Sequence, residues 1–166
     1  MQELSPKGDI QILIGESPAV TLSSLLPVAF GPKDLGFKDG AFPVNEVELI
    51  LPKGISDELT VAAWEAARKS YAPYTKAYSG VAIGTGSGRI CKGSYIENAA
   101  FNPSLSPLQT ALAALMVADE NYSTISEVTL VEIDGAAISQ KSVAEAALGT
   151  VAPAVKLQVV RAAIKV

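Results

Sequence analysis

The stretch Gly93-Ser-Tyr-Ile-Glu-Asn-Ala-Ala-Phe-Asn-Pro-Ser-Leu-Ser-Pro-Leu-Gln-Thr-Ala-Leu112 changes its pattern twice. Its first residues continue a strand-like run that begins at Arg89. Its last residues open a helix, because Ser106-Pro107 sets a capping hydroxyl ahead of a proline at the first helical position. Leu108, Leu112, Leu115 and Met116 then recur at helical spacing through about Glu120. Between strand and helix lies a loop that holds Glu97, Asn98, Phe101 and Asn102. A loop that leaves a strand and faces a helix start is where α/β folds place ligands. The plainer alternative is that Asn98 and Asn102 hydrogen-bond their own loop. Residue types alone leave the two readings even.

Working outward, Tyr78 to Thr85 and Arg89 to Tyr95 read as two strands joined by the turn Gly84-Thr-Gly-Ser-Gly88, a hairpin. That turn lacks the Lys-Ser/Thr of a phosphate loop, and a strand rather than a helix follows it. Cys91, in the second strand, reads as a small buried hydrophobe. Upstream, Ser56 can cap a helix through about Ser70, with Leu59, Ala63, Ala66 and Ala67 on one face and Asp57 and Glu58 in its first turn. Downstream come a buried strand from Glu127 to Ile133, a turn at Asp134-Gly135 and a helix from about Lys141 to Leu148 closed by Gly149. Val155 to Ala162 reads as the last strand. The order α, β, β, α, β, α, β predicts an α/β fold with a mixed sheet covered by helices on both faces.

The amino-terminal part reads differently. Asp9 to Gly15 is a short aliphatic strand. From Glu16 to about Gly54 the chain carries Pro18, Pro27, Pro32, Pro43 and Pro52 with Gly31, Gly36 and Gly40, which disfavours long helices and central strands. It also carries Leu22, Leu25, Leu26, Val28, Phe30, Leu35, Phe37 and Phe42. The expectation is a connecting arm that packs along a surface, with a short helix at Leu22 to Leu26.

Composition narrows the chemistry. The 166 residues are 49% hydrophobic and 18% charged, enough for a real core, and include no histidine and one cysteine. An intrachain disulfide is impossible. A zinc site could draw only on Cys91 and acids, and neither Ser-His-Asp nor Cys-His catalysis has an imidazole. The net charge of −4, with scattered Lys and Arg, argues against nucleic-acid binding. Residues 1–20 hold Glu3, Lys7, Asp9 and Glu16 with Pro6 and Pro18, no signal-like apolar stretch, and no segment approaches a membrane span. The expected compartment is the cytoplasm.

Tyr71-Ala-Pro-Tyr-Thr-Lys-Ala-Tyr-Ser-Gly-Val-Ala-Ile83, then Gly93-Ser-Tyr-Ile-Glu-Asn-Ala99, then the helix, resemble the cytidine deaminase family in order and spacing. The resemblance implies a three-layer cytidine-deaminase-like fold. In zinc deaminases a His or Cys at the helix start and two Cys of a later Pro-Cys-x-x-Cys hold zinc, and a nearby Glu shuttles protons. Aligned from Glu97-Asn98, the first ligand position falls on Ser106 and the glutamate on Leu108. The later pair falls near Ser139 to Ala144, which holds no Cys.

Within the family the chain resembles most the zinc-less carboxy-terminal domain of two-domain bacterial enzymes. Ala29-Phe-Gly-Pro-Lys-Asp-Leu35 is similar to their linker, and Ser94 to Leu105 to their degenerate motif. The resemblance implies that Met1 is internal to a longer protein. Residues 1–54 would then be the terminal strand of a missing catalytic domain plus a Pro-rich linker arm, and residues 55–166 a degenerate deaminase domain.

The activity implied for the intact protein is hydrolytic deamination of cytidine and deoxycytidine, with zinc bound by the missing domain and none in this chain. The partners implied are a pyrimidine nucleoside, the protein's own catalytic domain and a second copy in a homodimer. Ala99 and Phe101 would reach into a neighbour's site. Glu97, Asn98, Ser106 and Leu108 would be vestigial site positions. Glu97 matches a ribose-binding residue, but Tyr95 stands where its partner asparagine would be. Two rival readings are a standalone nucleoside-binding protein and a purely structural domain in which Phe101 is a core residue.

Overall fold

The computed structural model describes residue 3 and residues 9–37 and 46–165. Met1, Gly40, Phe42 and Pro43, which enter the sequence reading, lie outside the described residues. The chain divides into two compact units, Met1–Val44 with Asn98–Pro103, and Asn45–Glu97 with Ser104–Val166.

In the first unit, β1 (Gln11–Ile12) pairs antiparallel with β2 (Val20–Thr21), and α1 (Leu22–Leu25) follows at once. Thr21 caps α1 by accepting the Ser24 N–H, while the Asp9 carboxylate accepts the N–H and hydroxyl of Ser23. The expected strand from Asp9 to Gly15 is thus shorter. Leu13 and Ile14 leave it exposed, because Gly15 at φ +56° turns the chain back. Leu22 is buried, but Leu25, Leu26, Val28, Phe30, Leu35 and Phe37 are exposed.

The second unit carries the alternating pattern: β3 (Leu49–Ile50), α2 (Glu58–Arg68), β4 (Ser79–Thr85), β5 (Ile90–Ser94), α3 (Pro107–Val117), β6 (Ile125–Ile133), α4 (Lys141–Val151) and β7 (Leu157–Ile164). Among the described residues these strands form one sheet in the order β3-β7-β6-β4-β5. β6 and β7 run parallel across the α4 crossover, and the other neighbouring pairs are antiparallel, so the sheet is mixed as expected.

Alternation along the strands sorts the core into two layers. Val81, Ile83, Val128 and Leu130 pack with Leu108, Ala111 and Leu115 of α3 and with Ala144 and Leu148 of α4. Ala82, Val131, Ile133, Val160 and Ala162 pack with Leu59, Ala62, Ala63 and Ala67 of α2. Helices therefore cover both faces. Each fully buried aliphatic side chain contributes roughly 1.5–3 kcal/mol.

Two strand glycines set how closely the helices approach. A Cβ built on Gly80 would lie 2.2 Å from the Ala67 nitrogen of α2, and one on Gly93 would lie 2.1 Å from the Ala111 nitrogen of α3. Any larger residue would force a helix off the sheet.

Several boundaries move for local reasons. Asp57, not Ser56, caps α2, since its carboxylate accepts the Thr60 N–H at 2.8 Å. That helix ends at Arg68 rather than Ser70, whose hydroxyl turns back to the Ala67 carbonyl. Gly149 does not close the last helix. α4 continues through it to Val151 and stops where Pro153 restricts Ala152. β3 is an addition: a short edge strand inside the Pro-rich segment, paired through Leu49↔Ile164 and Ile50↔Ala163. Cys91 is buried as expected, and burial pushes its thiol up. No helix among the described residues is long and apolar enough to cross a membrane.

Candidate functional site

The loop that follows β5 is pinched at its base within the second unit. Ile96 and Leu105 exchange both backbone hydrogen bonds, at 3.0 and 2.8 Å. The Tyr71 carbonyl accepts the Glu97 N–H at 2.8 Å, which fixes Glu97 beside the segment that leads into β4.

The Glu97 carboxylate is 1% exposed. It accepts the Tyr74 N–H at 2.8 Å, the Thr75 N–H at 3.1 Å and the Thr75 hydroxyl at 2.6 Å. A buried carboxylate is costly without such donors, and here the chain itself supplies them. Burial, with the Glu97 charge as a lesser cause, raises the phenol of Tyr78. Tyr95 is buried as well, and desolvation dominates the rise of its phenol. The sequence reading missed Thr75 as a partner of Glu97, although it stands in the Pro73-Tyr-Thr-Lys segment that carries the family resemblance.

Ser106 and Leu108 lie at the start of α3 and do structural work there. Ser106 forms a reciprocal capping box. Its hydroxyl accepts the Gln109 N–H at 3.3 Å, and its own N–H donates to the Gln109 side-chain oxygen at 2.9 Å. Leu108 is fully buried among Val81, Ile83 and Leu130. At the start of α4 the Ser139 hydroxyl donates to Glu132 at 2.8 Å, and Ala144 packs in the core.

Among the described residues no three His, Cys, Asp or Glu side chains gather into a possible metal site. The groups at these positions are a hydroxyl bound into a cap, a buried leucine and a serine donating to a carboxylate. They are not the thiolates and imidazoles that hold zinc in deaminases, and zinc does not fit this donor set. No step through zinc follows for these residues.

The remaining residues belong to the first unit. The Asn98 side-chain oxygen accepts the Ala100 N–H at 3.0 Å, and its carbonyl accepts the Phe101 N–H at 2.8 Å. At Asn98 the loop thus bonds to itself. Phe101 is held at φ +61° and is 57% exposed, so it is not a core residue of this chain. A bulky residue in the left-handed region is strained by roughly 1–2 kcal/mol. The Ala99 N–H donates to the buried Glu3 carboxylate at 3.3 Å. No local signal in the sequence announces that contact, which joins residues at opposite ends of the unit's sequence.

Residues 22–145 match the family model described as the zinc-binding region of cytidine and deoxycytidylate deaminases. A cytidine deaminase of Vibrio cholerae serotype O1 is 40% identical over 158 residues, which cover 95% of this chain and 52% of that protein. A cytidine deaminase of Yersinia pestis is 43% identical over 141 residues, covering 84% of this chain and 47% of that protein. The chain spans about half the length of the curated relatives it matches. Among solved structures, cytidine deaminase from Burkholderia pseudomallei superposes with a TM-score of 0.54 at 24% identity, over 64% of this chain and 89% of that chain. The enzyme from Mycobacterium leprae gives 0.52 at 26%, over 63% of this chain and 89% of that chain.

Proposed function

This chain belongs to the cytidine and deoxycytidylate deaminase family, whose model it matches over residues 22–145, and from that premise we propose that it is a non-catalytic copy of the fold. A zinc-bearing copy elsewhere in the intact protein performs the hydrolytic deamination of cytidine and deoxycytidine to uridine and deoxyuridine, with release of ammonia. This chain contributes dimer contacts and part of the wall of a neighbour's active site, in the cytoplasm.

One observation carries the reading. The two positions at the start of α3 that a deaminase needs for a ligand and a proton carrier hold a capping serine and a fully buried leucine, Ser106 and Leu108. A leucine cannot move a proton, and a serine hydroxyl is a poor zinc ligand at neutral pH. The match to about half of each relative's length supports a division into two copies. Phe101, exposed and held in a strained conformation, supports a role for that ring outside its own unit. A ring that closes over a nucleoside excludes water and strengthens the electrostatics of the reaction.

The test is direct. Elemental analysis and a cytidine turnover assay on the purified chain are expected to find no stoichiometric zinc and no ammonia release; either one sinks the proposal. In an enzyme that carries both copies, Phe101→Ala is expected to lower kcat/KM. An unchanged value would leave this copy a purely structural role. The internal partners of the Glu97 carboxylate count against nucleoside binding by this copy itself.

A further inference from the structure

Glu132 is the next-to-last residue of β6 and shares the strand face of Val128 and Leu130. It is 1% exposed, an acid beside the apolar Val131 and Ile133, and the sequence reading assigned it no role. The helix it faces starts without a cap of its own. Gln140, at the N-cap position of α4, has helical backbone angles, and its side chain bonds to nothing in the first turn.

The carboxylate fills that gap from a distance. One oxygen accepts the Gln140 N–H at 2.8 Å. The other accepts the Ser139 hydroxyl at 2.8 Å and lies 2.7 Å from the Arg161 guanidinium. Ser139 passes the link on, since its hydroxyl also accepts the Lys141 N–H at 3.3 Å. The parallel register of β6 and β7 sets Glu132 opposite Arg161, so the sheet itself aligns the pair. A negative charge at a helix N-terminus is favourable, and a buried charge is tolerated only when partnered. Both conditions meet in this side chain.

We propose that Glu132 is the remote N-cap of α4, charge-balanced and positioned by Arg161, and that this network ties the start of α4 to the sheet with no metal ion. The metal-free clause rests on the zinc-less reading above, because Ser139 to Ala144 is where the resemblance would put a metal-holding pair.

Backbone amide hydrogen exchange of the full chain tests it, in the wild type, Glu132→Gln, Arg161→Gln, the double variant, Arg161→Lys and Ser139→Ala, each with and without a chelator. Glu132→Gln keeps only a neutral acceptor for the Gln140 N–H and cannot balance Arg161, so it is expected to speed exchange at Gln140 and the first turn of α4 about tenfold. Arg161→Gln should do at least as much, since it strands a buried carboxylate, and the double variant less than the product of the two. Arg161→Lys should stay near wild type. Unchanged protection at Gln140 in both single variants overturns the cap, and equal effects of Arg161→Lys and Arg161→Gln overturn the charge balance. If Glu132→Gln does not fold, Ser139→Ala reads the same cap through a few-fold change at Gln140, and no change there overturns it. Chelator is expected to do nothing. Loosening of α4 by chelator alone overturns the metal-free clause and the zinc-less reading, while the variants judge the cap separately.

Discussion

Thr75 donates its hydroxyl to the Glu97 carboxylate at 2.6 Å, and the Tyr74 and Thr75 amides converge on the same group. The loop after β5 and the segment before β4 are therefore joined through one buried side chain. Thr75→Ala is expected to cost about 1.5–3 kcal/mol, the usual range for a hydrogen bond to a charged group. Glu97→Ala, which orphans every one of these donors, should cost more. Denaturant melts would measure both. Cytidine should not raise the Tm of the wild-type chain, because its ribose would have to displace these donors.

The strand glycines give a steric prediction. Gly80→Ala would drive a methyl into the backbone of α2 at Ala63 to Ala67, and Gly93→Ala into α3 at Pro107 to Ala111. Overpacking of this kind costs about 1–3 kcal/mol, occasionally more, and rigid helix backbone on the other side puts these sites at the upper end. A Tm drop of roughly 6–12 °C should follow for each. Thermal melts with little change would mean that the helices can shift outward freely.

At the start of α3, Ser106→Ala should cost about 1 kcal/mol through the lost cap, and Gln109→Ala should add less on top of it than alone, because the capping box is reciprocal. Leu108→Ala should cost about 2–5 kcal/mol. The paired change Ser106→Cys with Leu108→Glu is expected to destabilise the chain without conferring turnover, since Ser139 to Ala144 still offers no thiolate. Ammonia release by that variant would refute this.

Stability should depend on pH from both sides. The Thr60 amide holds the Asp57 carboxyl below its ordinary value, and the Lys92 ammonium does the same for Glu65. A carboxyl depressed by folding stabilises fully above its unfolded value, about 4, and that contribution is lost as the pH falls through the folded one. Cys91, Tyr78 and Tyr95 are raised, chiefly by burial. Their contribution is whole below the unfolded values, about 8.5 for the thiol and 10 for the phenols, and is lost as the pH rises past them. Tm against pH should be flat near neutrality and fall at both ends. Asp57→Asn, which still caps, should soften the acid limb, and Cys91→Ala the onset of the alkaline one.

What could be read from sequence follows from how local each signal is. Ser106 and Pro107 announce the start of α3 within one turn, and the Gly84 to Gly88 turn announces the hairpin. Glycine misleads at Gly149, where its missing side chain permits a helix end without requiring one; Pro153 decides the stop. β3 is invisible because two residues soon followed by Pro52 and Gly54 carry no period, and their partners lie beyond residue 160. The site divides likewise. Ser106 and Leu108 can be placed by counting from Glu97, but the donors that close on Glu97 and the meeting of Glu3 with Ala99 are facts of tertiary structure.

The pairing of β3 with β7 also bears on how the protein is made. Leu49 is buried, its carbonyl accepts the Trp64 indole N–H at 2.9 Å, and its strand partner is Ile164. During synthesis the β4–β5 hairpin and its flanking helices can assemble as they leave the ribosome, since their contacts are near neighbours along the chain. The sheet edge beside β7 has no such early route. The strand pairing of Leu49 waits until residue 164 has emerged, and over that interval the nascent chain exposes an open strand edge that chaperones or aggregation can claim.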